Sequence, residues 1–276
     1  MSLSPLKFSL NHMVAPSMTA FELLDAAKTM GIQAVELRND VQENSVTELE
    51  NARAIGARAE ELGIEVLSIN ALYPFNIWNE ERAQAAEKLA QLASACGAKG
   101  LVMCPLNDGA YDATDAQKEV GLLEALTAIK PILEKYNLKG FVEPLGFPIS
   151  SLRLKQDAVA AIRALGAEDR FGLVHDTFHH QGAGETEFFP QNTGLVHISG
   201  VEDPAISFDD MLDAHRVLVG PKDRLGNVGQ IRSLLQGGYS GYISFEPFSS
   251  EVTALANPLA ALEQSIRYIS QRLDAA

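Results

Sequence analysis

Cysteine is scarce in this chain. Cys96 and Cys104 are the only two in 276 residues, too few for a disulfide framework and at no metal-ligand spacing. Both read as small buried hydrophobes, and a cytoplasmic protein is expected. Bases are also few: 22 Lys and Arg stand against 36 Asp and Glu, a net charge of −14. They are scattered, with no basic stripe to displace counterions, so no nucleic acid is expected as a partner. No apolar run approaches the roughly 18 residues of a spanning helix, so no membrane is expected either. The stretch from Met1 to Lys7 lacks a secretory apolar region, and its first residues are given no role. Several motifs are missing as well. There is no Walker-type phosphate loop, no GxGxxG after the first strand, no HExxH and no GxSxG elbow.

What is present is globular: 46% hydrophobic residues and a mean hydropathy near zero. A single α/β barrel needs about 250 residues, so residues 1–276 read as one domain. One grammar repeats along the chain. An amphipathic helix ends at Gly or Asn, the expected left-handed cap, and a short apolar strand follows. Helical patterns over 19–30, 46–62, 80–96 and 116–136 precede strands at 34–38, 65–70, 100–104 and 139–143. A strand at 7–10 opens the series. A short helix over 157–165 leads to a strand from Phe171, and residues 182–192 read as a loop with one helical turn before a strand at 194–197. Residues 201–227 form a long charged loop, read as an active-site loop. A helix at 229–236, a strand at 241–246 and a helix at 258–273 close the chain. Strands alternating with helices in this way predict a parallel (β/α)₈ barrel.

Four of these strands end in a metal-competent side chain: Glu143, Asp176, His197 and Glu246. In such a barrel the active site lies at the C-terminal strand ends. Strand residues alternate between interior and helix layer. With the four turned inward, Val174, Leu195, Phe141 and Ser244 share their phase. Val142, Val196, Ile198, Ile243 and Phe245 then face the helices, as does His175. Earlier strands aim Glu36, Arg38, Ser68 and Asn70 at the same mouth. Two carboxylates about 4 Å apart repel by roughly 4 kcal/mol at an effective dielectric of 20. Several at one mouth need protonation or a cation. Three carboxylates and one imidazole form a hard-leaning set that suits one Mn²⁺, Co²⁺, Mg²⁺ or Fe²⁺, with Zn²⁺ less favoured.

The chain resembles the xylose-isomerase-like TIM-barrel superfamily, most closely its inosose (2-keto-myo-inositol) isomerase branch. The resemblance rests on Val35-Glu36-Leu37-Arg38, Asn70-Ala71-Leu72 and Val142-Glu143-Pro144-Leu145-Gly146. It continues through Leu173-Val174-His175-Asp176-Thr177-Phe178-His179, Val196-His197-Ile198, Val201-Glu202-Asp203 and Ser244-Phe245-Glu246. It implies that Glu143, Asp176, His197 and Glu246 ligate the metal and that His179 faces substrate. Two features depart from that branch. Ile198-Ser199-Gly200 stands where acids are expected, and Pro221–Arg224 lengthens the loop before the last helix; both lie beside the expected substrate pocket.

The implied reaction moves a carbonyl between adjacent carbons of a cyclic polyol ketone or sugar through an enediolate. Glu143 and Glu246 are the candidate acid–base pair, with His179 as a relay. Arg38, Asn70, His179 and Arg216 are candidate substrate contacts, although either arginine equally suits a salt bridge across the barrel mouth. Phe75, Trp78 and Phe147 are candidate walls, and His180 is given no role. A ketose 3-epimerase, a hydroxypyruvate isomerase and an inosose dehydratase stay open on the same metal site. An endonuclease-IV-like phosphodiesterase fits the acidic charge poorly. A non-enzymatic sugar-binding barrel and homo-oligomerisation also remain open.

Overall fold

The computed structural model describes residues 6–275, so the expectation for the first residues lies partly outside it. Eight parallel strands close on themselves in chain order, β1 pairing with both β2 and β8. The strands are β1 Phe8–Asn11, β2 Ala34–Arg38, β3 Glu65–Leu72, β4 Gly100–Met103, β5 Lys139–Val142, β6 Phe171–Asp176, β7 Thr193–Ile198 and β8 Ile243–Phe245. Between them run α1 Ala20–Met30, α2 Leu49–Leu62, α3 Glu80–Ala95, α4 Asp115–Lys135, α5 Lys155–Ala164, α6 Thr177–Ala183 and α7 Asn227–Gln236. A short α8, Ser250–Thr253, and a long α9, Pro258–Asp274, complete the ring. The expected barrel is therefore the observed one.

Local chemistry sets the boundaries. Thr19 and Thr114 open α1 and α4 with reciprocal capping boxes to Glu22 and Gln117. Gly31, Gly63 and Gly97 follow α1, α2 and α3 with φ of 71°, 66° and 72°, the left-handed geometry that costs glycine least. Asn137 plays that part after α4 with φ 54°.

The inward and outward phases fall as the alternation requires. Ala34, Leu67, Val102, Val174 and Leu195 fill the barrel interior, with Phe141 against them. Val142, Val196, Ile198, Ile243 and Phe245 belong to the layer between barrel and helices. One strand departs from simple alternation. The β2–β3 register slips by a residue between the Val35–Val66 and Glu36–Ser68 pairs. Leu67 packs inside the barrel, yet the next residue, Ser68, also points inward to Glu36.

The sequence expectation misses α6. The helix begins directly after Asp176 rather than in 182–192, and ends at Gly184 with φ 67°. Asp176 itself explains the start, because its Oδ1 accepts from the amides of Phe178 at 2.7 Å and His179 at 3.1 Å. His179 thus stands on the first turn of a helix. The long loop is anchored by a two-way bridge, Gly200 N–H to Val217 O at 2.7 Å and Val217 N–H to Gly200 O at 2.8 Å. That bridge places Arg216 over the barrel.

Candidate metal centre

Four acceptors meet at the C-terminal mouth. Glu143 follows β5, Asp176 ends β6, His197 lies in β7 and Glu246 follows β8. One donor atom from each lies within 4.8 Å of all the others, and all four residues are buried. Ligands held about 2.0–2.6 Å from one ion subtend separations of this size, so the set fits a single divalent cation. Strand order delivers it, because neighbouring strands lie only about 4.8 Å apart. Glu143 and Glu246 stay in the ladder through N–H bonds to Met103 O at 3.0 Å and Ile198 O at 2.9 Å. The prolines that follow them, Pro144 and Pro247, hold each acid in extended backbone.

The electrostatics call for positive charge. His197 Nδ1 lies 3.1 Å from Glu143 Oε1 and 3.2 Å from Glu246 Oε2, and its Nε2 lies 3.1 Å from Glu36 Oε1. Burial by itself depresses the His197 pKa, but Glu246, Glu36 and Glu143 outweigh it and hold it well above its ordinary value. Burial pushes the Glu246 carboxyl up, yet His197, Arg216 and Arg38 bring it well below the usual carboxylate range.

The expected substrate contacts, Arg38, Asn70, His179 and Arg216, all line a pocket of about 260 Å³ above the centre. Both arginines form the salt bridges the sequence left open. Arg38 grips Asp40 through Nε at 2.7 Å and Nη2 at 2.8 Å, and Glu246 Oε1 through Nη1 at 2.6 Å. Arg216 Nη2 reaches Asp176 Oδ2 at 2.6 Å and Glu246 Oε2 at 3.0 Å; its Nη1 reaches Asp213 and its Nε reaches Ser199 Oγ at 3.0 Å. Ser199, the departure from the expected acids, is thus a support for Arg216. Asn70 turns its amide nitrogen to Glu36 at 3.1 Å and Ser68 at 3.0 Å. His179 Nδ1 is buried without a partner. Of the expected walls, Phe147 lines the pocket, whereas Phe75 packs in the main core and the half-buried Trp78 packs against it. Phe248 takes the other wall, with the Arg216 guanidinium over its ring, 4.7 Å from the centroid.

One residue of the mouth escaped the sequence reading. Cys104 is no inert core thiol: it lines the pocket and donates to Glu143 Oε2 at 3.3 Å. Burial, then Glu143 and Glu246, push its pKa well up, which keeps the donor proton in place. Glu36, which the sequence aims at the mouth, faces His197 there. Its signal was its inward phase on β2. His180 points away from the mouth, toward Lys155 Nζ at 2.7 Å. A larger groove of about 850 Å³, between α4 and α5, includes Asp115, Glu119 and Asp157 but none of the four candidate ligands.

Comparison with known proteins agrees with this fold. The model of the xylose isomerase-like TIM barrel family matches residues 24–272. A xylose isomerase domain containing protein from Salmonella typhimurium is 35% identical, with 99% of each chain covered and a TM-score of 0.87. The IolI protein, solved with a bound zinc atom, is 20% identical, with 97% of this chain and 99% of that one covered and a TM-score of 0.84. An L-ribulose 3-epimerase is 18% identical over 98% of this chain and 95% of that one, with a TM-score of 0.72. At such identities the last two speak to the fold. No curated protein matches the chain. By the family model and the Salmonella relative, the chain belongs to the xylose isomerase-like TIM barrel family.

Proposed function

We propose that the chain is a divalent-metal-dependent isomerase that moves a carbonyl between adjacent carbons of an uncharged cyclic polyol ketone or sugar. The observation that carries this reading is the cluster of three carboxylates and one imidazole opening on a small pocket. A bound divalent ion supplies Lewis-acid stabilisation of charge developing on two neighbouring oxygens. The donor set suits Mn²⁺, Co²⁺, Mg²⁺ or Fe²⁺, and accommodates Zn²⁺.

The surroundings divide the work between the two glutamates. Glu246 receives both guanidiniums, so it stays ionised and anchors the site. Glu143 receives only the Cys104 thiol and the His197 ring, which leaves it the freer carboxylate. It lifts the proton from carbon and returns it to the neighbouring carbon. His179, on the pocket wall, moves the hydroxyl proton.

The absence of formal charge on the substrate follows from the arginines. Every nitrogen of both guanidiniums already donates to a carboxylate or to Ser199, so their charge is balanced by the protein's own acids before a substrate carboxylate or phosphate arrives. Phe147 offers an apolar wall to the C–H side of a sugar ring. This arrangement speaks against hydroxypyruvate.

The test is ¹H NMR in D₂O with Mn²⁺-loaded protein, washed and quenched before observation. Neutral ketoses and inososes are expected to take up deuterium beside the carbonyl, with product spectra separating isomer from epimer. Exchange with hydroxypyruvate alone overturns the uncharged substrate. No exchange with any ketone overturns the isomerase reading.

A further inference from the structure

We propose that Glu36 is a positioning residue that fixes the tautomer of His197, placing the proton on Nε2 and the free lone pair on Nδ1, the nitrogen that faces the metal centre. The inference rests on the metal-site part of the reading above and is independent of the reaction.

Glu36 lies on β2 and His197 on β7, with β1 and β8 between them in the ring. Their contact therefore crosses the barrel interior. The Glu36 side chain is fully buried, and its oxygens stand 3.1 and 3.2 Å from His197 Nε2. Among the described residues no lysine or arginine pairs with it; His197 is its one ionic partner. A carboxylate in this position is costly to desolvate, and an apolar side chain would fill the interior at less expense. What a carboxylate adds is a charge-assisted acceptor that accepts Nε2–H and repels an Nε2 lone pair.

The other side of the ring is arranged to match. His197 Nδ1 meets Glu143 and Glu246, two of the candidate ligands. A ring that binds an ion must give up one of its two protons, and the proton held on Nε2 by Glu36 leaves Nδ1 as the nitrogen that gives its proton up and coordinates.

A collar of neutral donors keeps Glu36 in place. Ser68 Oγ donates to Oε2 at 2.6 Å, Asn70 Nδ2 to Oε2 at 3.1 Å, and Asn11 Nδ2 to Oε1 at 3.3 Å. The Asn11 amide cannot turn over without loss, because its Oδ1 accepts from Met13 N at 2.9 Å. The same Asn11 Nδ2 reaches Glu246 Oε1 at 3.5 Å, so the collar touches a second candidate ligand. Outer carboxylates of this kind typically change metal affinity by about 10–100-fold when removed.

The experiment uses the full chain and Mn²⁺, with free Mn²⁺ read by electron paramagnetic resonance during titration. Wild type, Glu36→Leu, Glu36→Gln and Ser68→Ala are compared, and each thermal midpoint is recorded. Long-range ¹H–¹⁵N spectra of the Zn²⁺-loaded protein read the His197 tautomer, assigned with His197→Gln. Glu36→Leu is expected to weaken Mn²⁺ binding about 10–100-fold and to lose the Nε2–H pattern. Glu36→Gln is expected to fall between it and wild type, since its one oxygen cannot serve all four donors. A Glu36→Leu protein with wild-type Mn²⁺ affinity and only a lowered midpoint makes Glu36 a structural plug and overturns the proposal. If Glu36→Leu does not fold, Glu36→Gln decides: unchanged affinity and an unchanged tautomer overturn it. A wild type that binds neither metal overturns the metal reading itself, which is a separate outcome.

Discussion

Glu143 and Glu246 look alike in sequence, each closing an apolar strand ahead of a proline. Their neighbours separate them. Glu246 accepts from Arg38, Arg216 and, at the edge of reach, Asn11. Glu143 accepts from a thiol. Glu143→Gln is therefore expected to keep most Mn²⁺ binding, because an amide oxygen still coordinates, while deuterium exchange falls at least about 10²-fold. Glu246→Gln is expected to lose Mn²⁺ affinity first, since its amide nitrogen would face two guanidiniums. Titration with Mn²⁺ and exchange rates on the same samples check both; the reverse pattern swaps the roles. At this scale the sequence revealed which residues end strands and which phase they take. It did not reveal partners. Cys104 matched no metal spacing, and the clue to its role was only its place at the end of the fourth strand. Arg38 and Arg216 were legible as residues of the mouth. Their engagement with Asp40, Asp213 and Ser199 depends on loops that no local pattern describes.

At the scale of elements, α6 matters most because it carries His179 and begins at a candidate ligand. It was misread because its seven residues, Thr177–Ala183, are too few to display helical periodicity, and its cap is the same Asp176 read as a ligand. Two contacts seat it. Gly146 approaches so closely that an added Cβ would stand 2.1 Å from His179 O and 2.9 Å from Ala183 N. Gly146→Ala is expected to cost about 1–3 kcal/mol and to displace His179, so urea unfolding and exchange should fall together. A variant with unaltered stability and exchange would show that the loop yields freely. On the other flank, Lys155 Nζ bonds Glu185 Oε2 at 2.5 Å and His180 Nδ1 at 2.7 Å. Burial, then the Lys155 charge, bring the His180 pKa down to about 3. The unfolded chain then binds a proton near pH 6.5 that the folded chain refuses until about pH 3. Stability from this group is present above the unfolded value and is lost as pH falls, by up to about 1.4 kcal/mol per unit. Unfolding midpoints between pH 6.5 and 4.5 should fall less steeply for His180→Gln than for wild type. Equal slopes would show that His180 titrates normally.

Over the whole molecule, the helix–glycine–strand grammar was sufficient to give the closed eight-strand order, because each cap and each apolar run is a local signal. The excursion between Gly200 and Val217 was legible only as a long loop, since its structure comes from a bridge between distant residues. Closure then brings the last four strand ends to one point, where the chain gathers buried acid beyond what its arginines neutralise. Among the described residues no helix is long and apolar enough to cross a membrane. The acid gathering predicts a linkage between ion and fold. An ion that binds the folded centre and not the open chain stabilises by about 2.7 kcal/mol at a hundred times its Kd, which is several degrees in thermal midpoint for a chain of this size. Mn²⁺ added to chelator-treated protein should raise the midpoint accordingly, and a chelator should reverse it. Asp176→Asn and His197→Ala should each lose most of that rise, because each removes one of the four gathered donors. With 36 acids on the chain, weak surface binding is the competing source of any shift. It would persist in both variants, whereas binding at the barrel mouth would not. An equal rise in wild type and both variants would move the ion elsewhere, with the acidic groove of Asp115, Glu119 and Asp157 the next place to look.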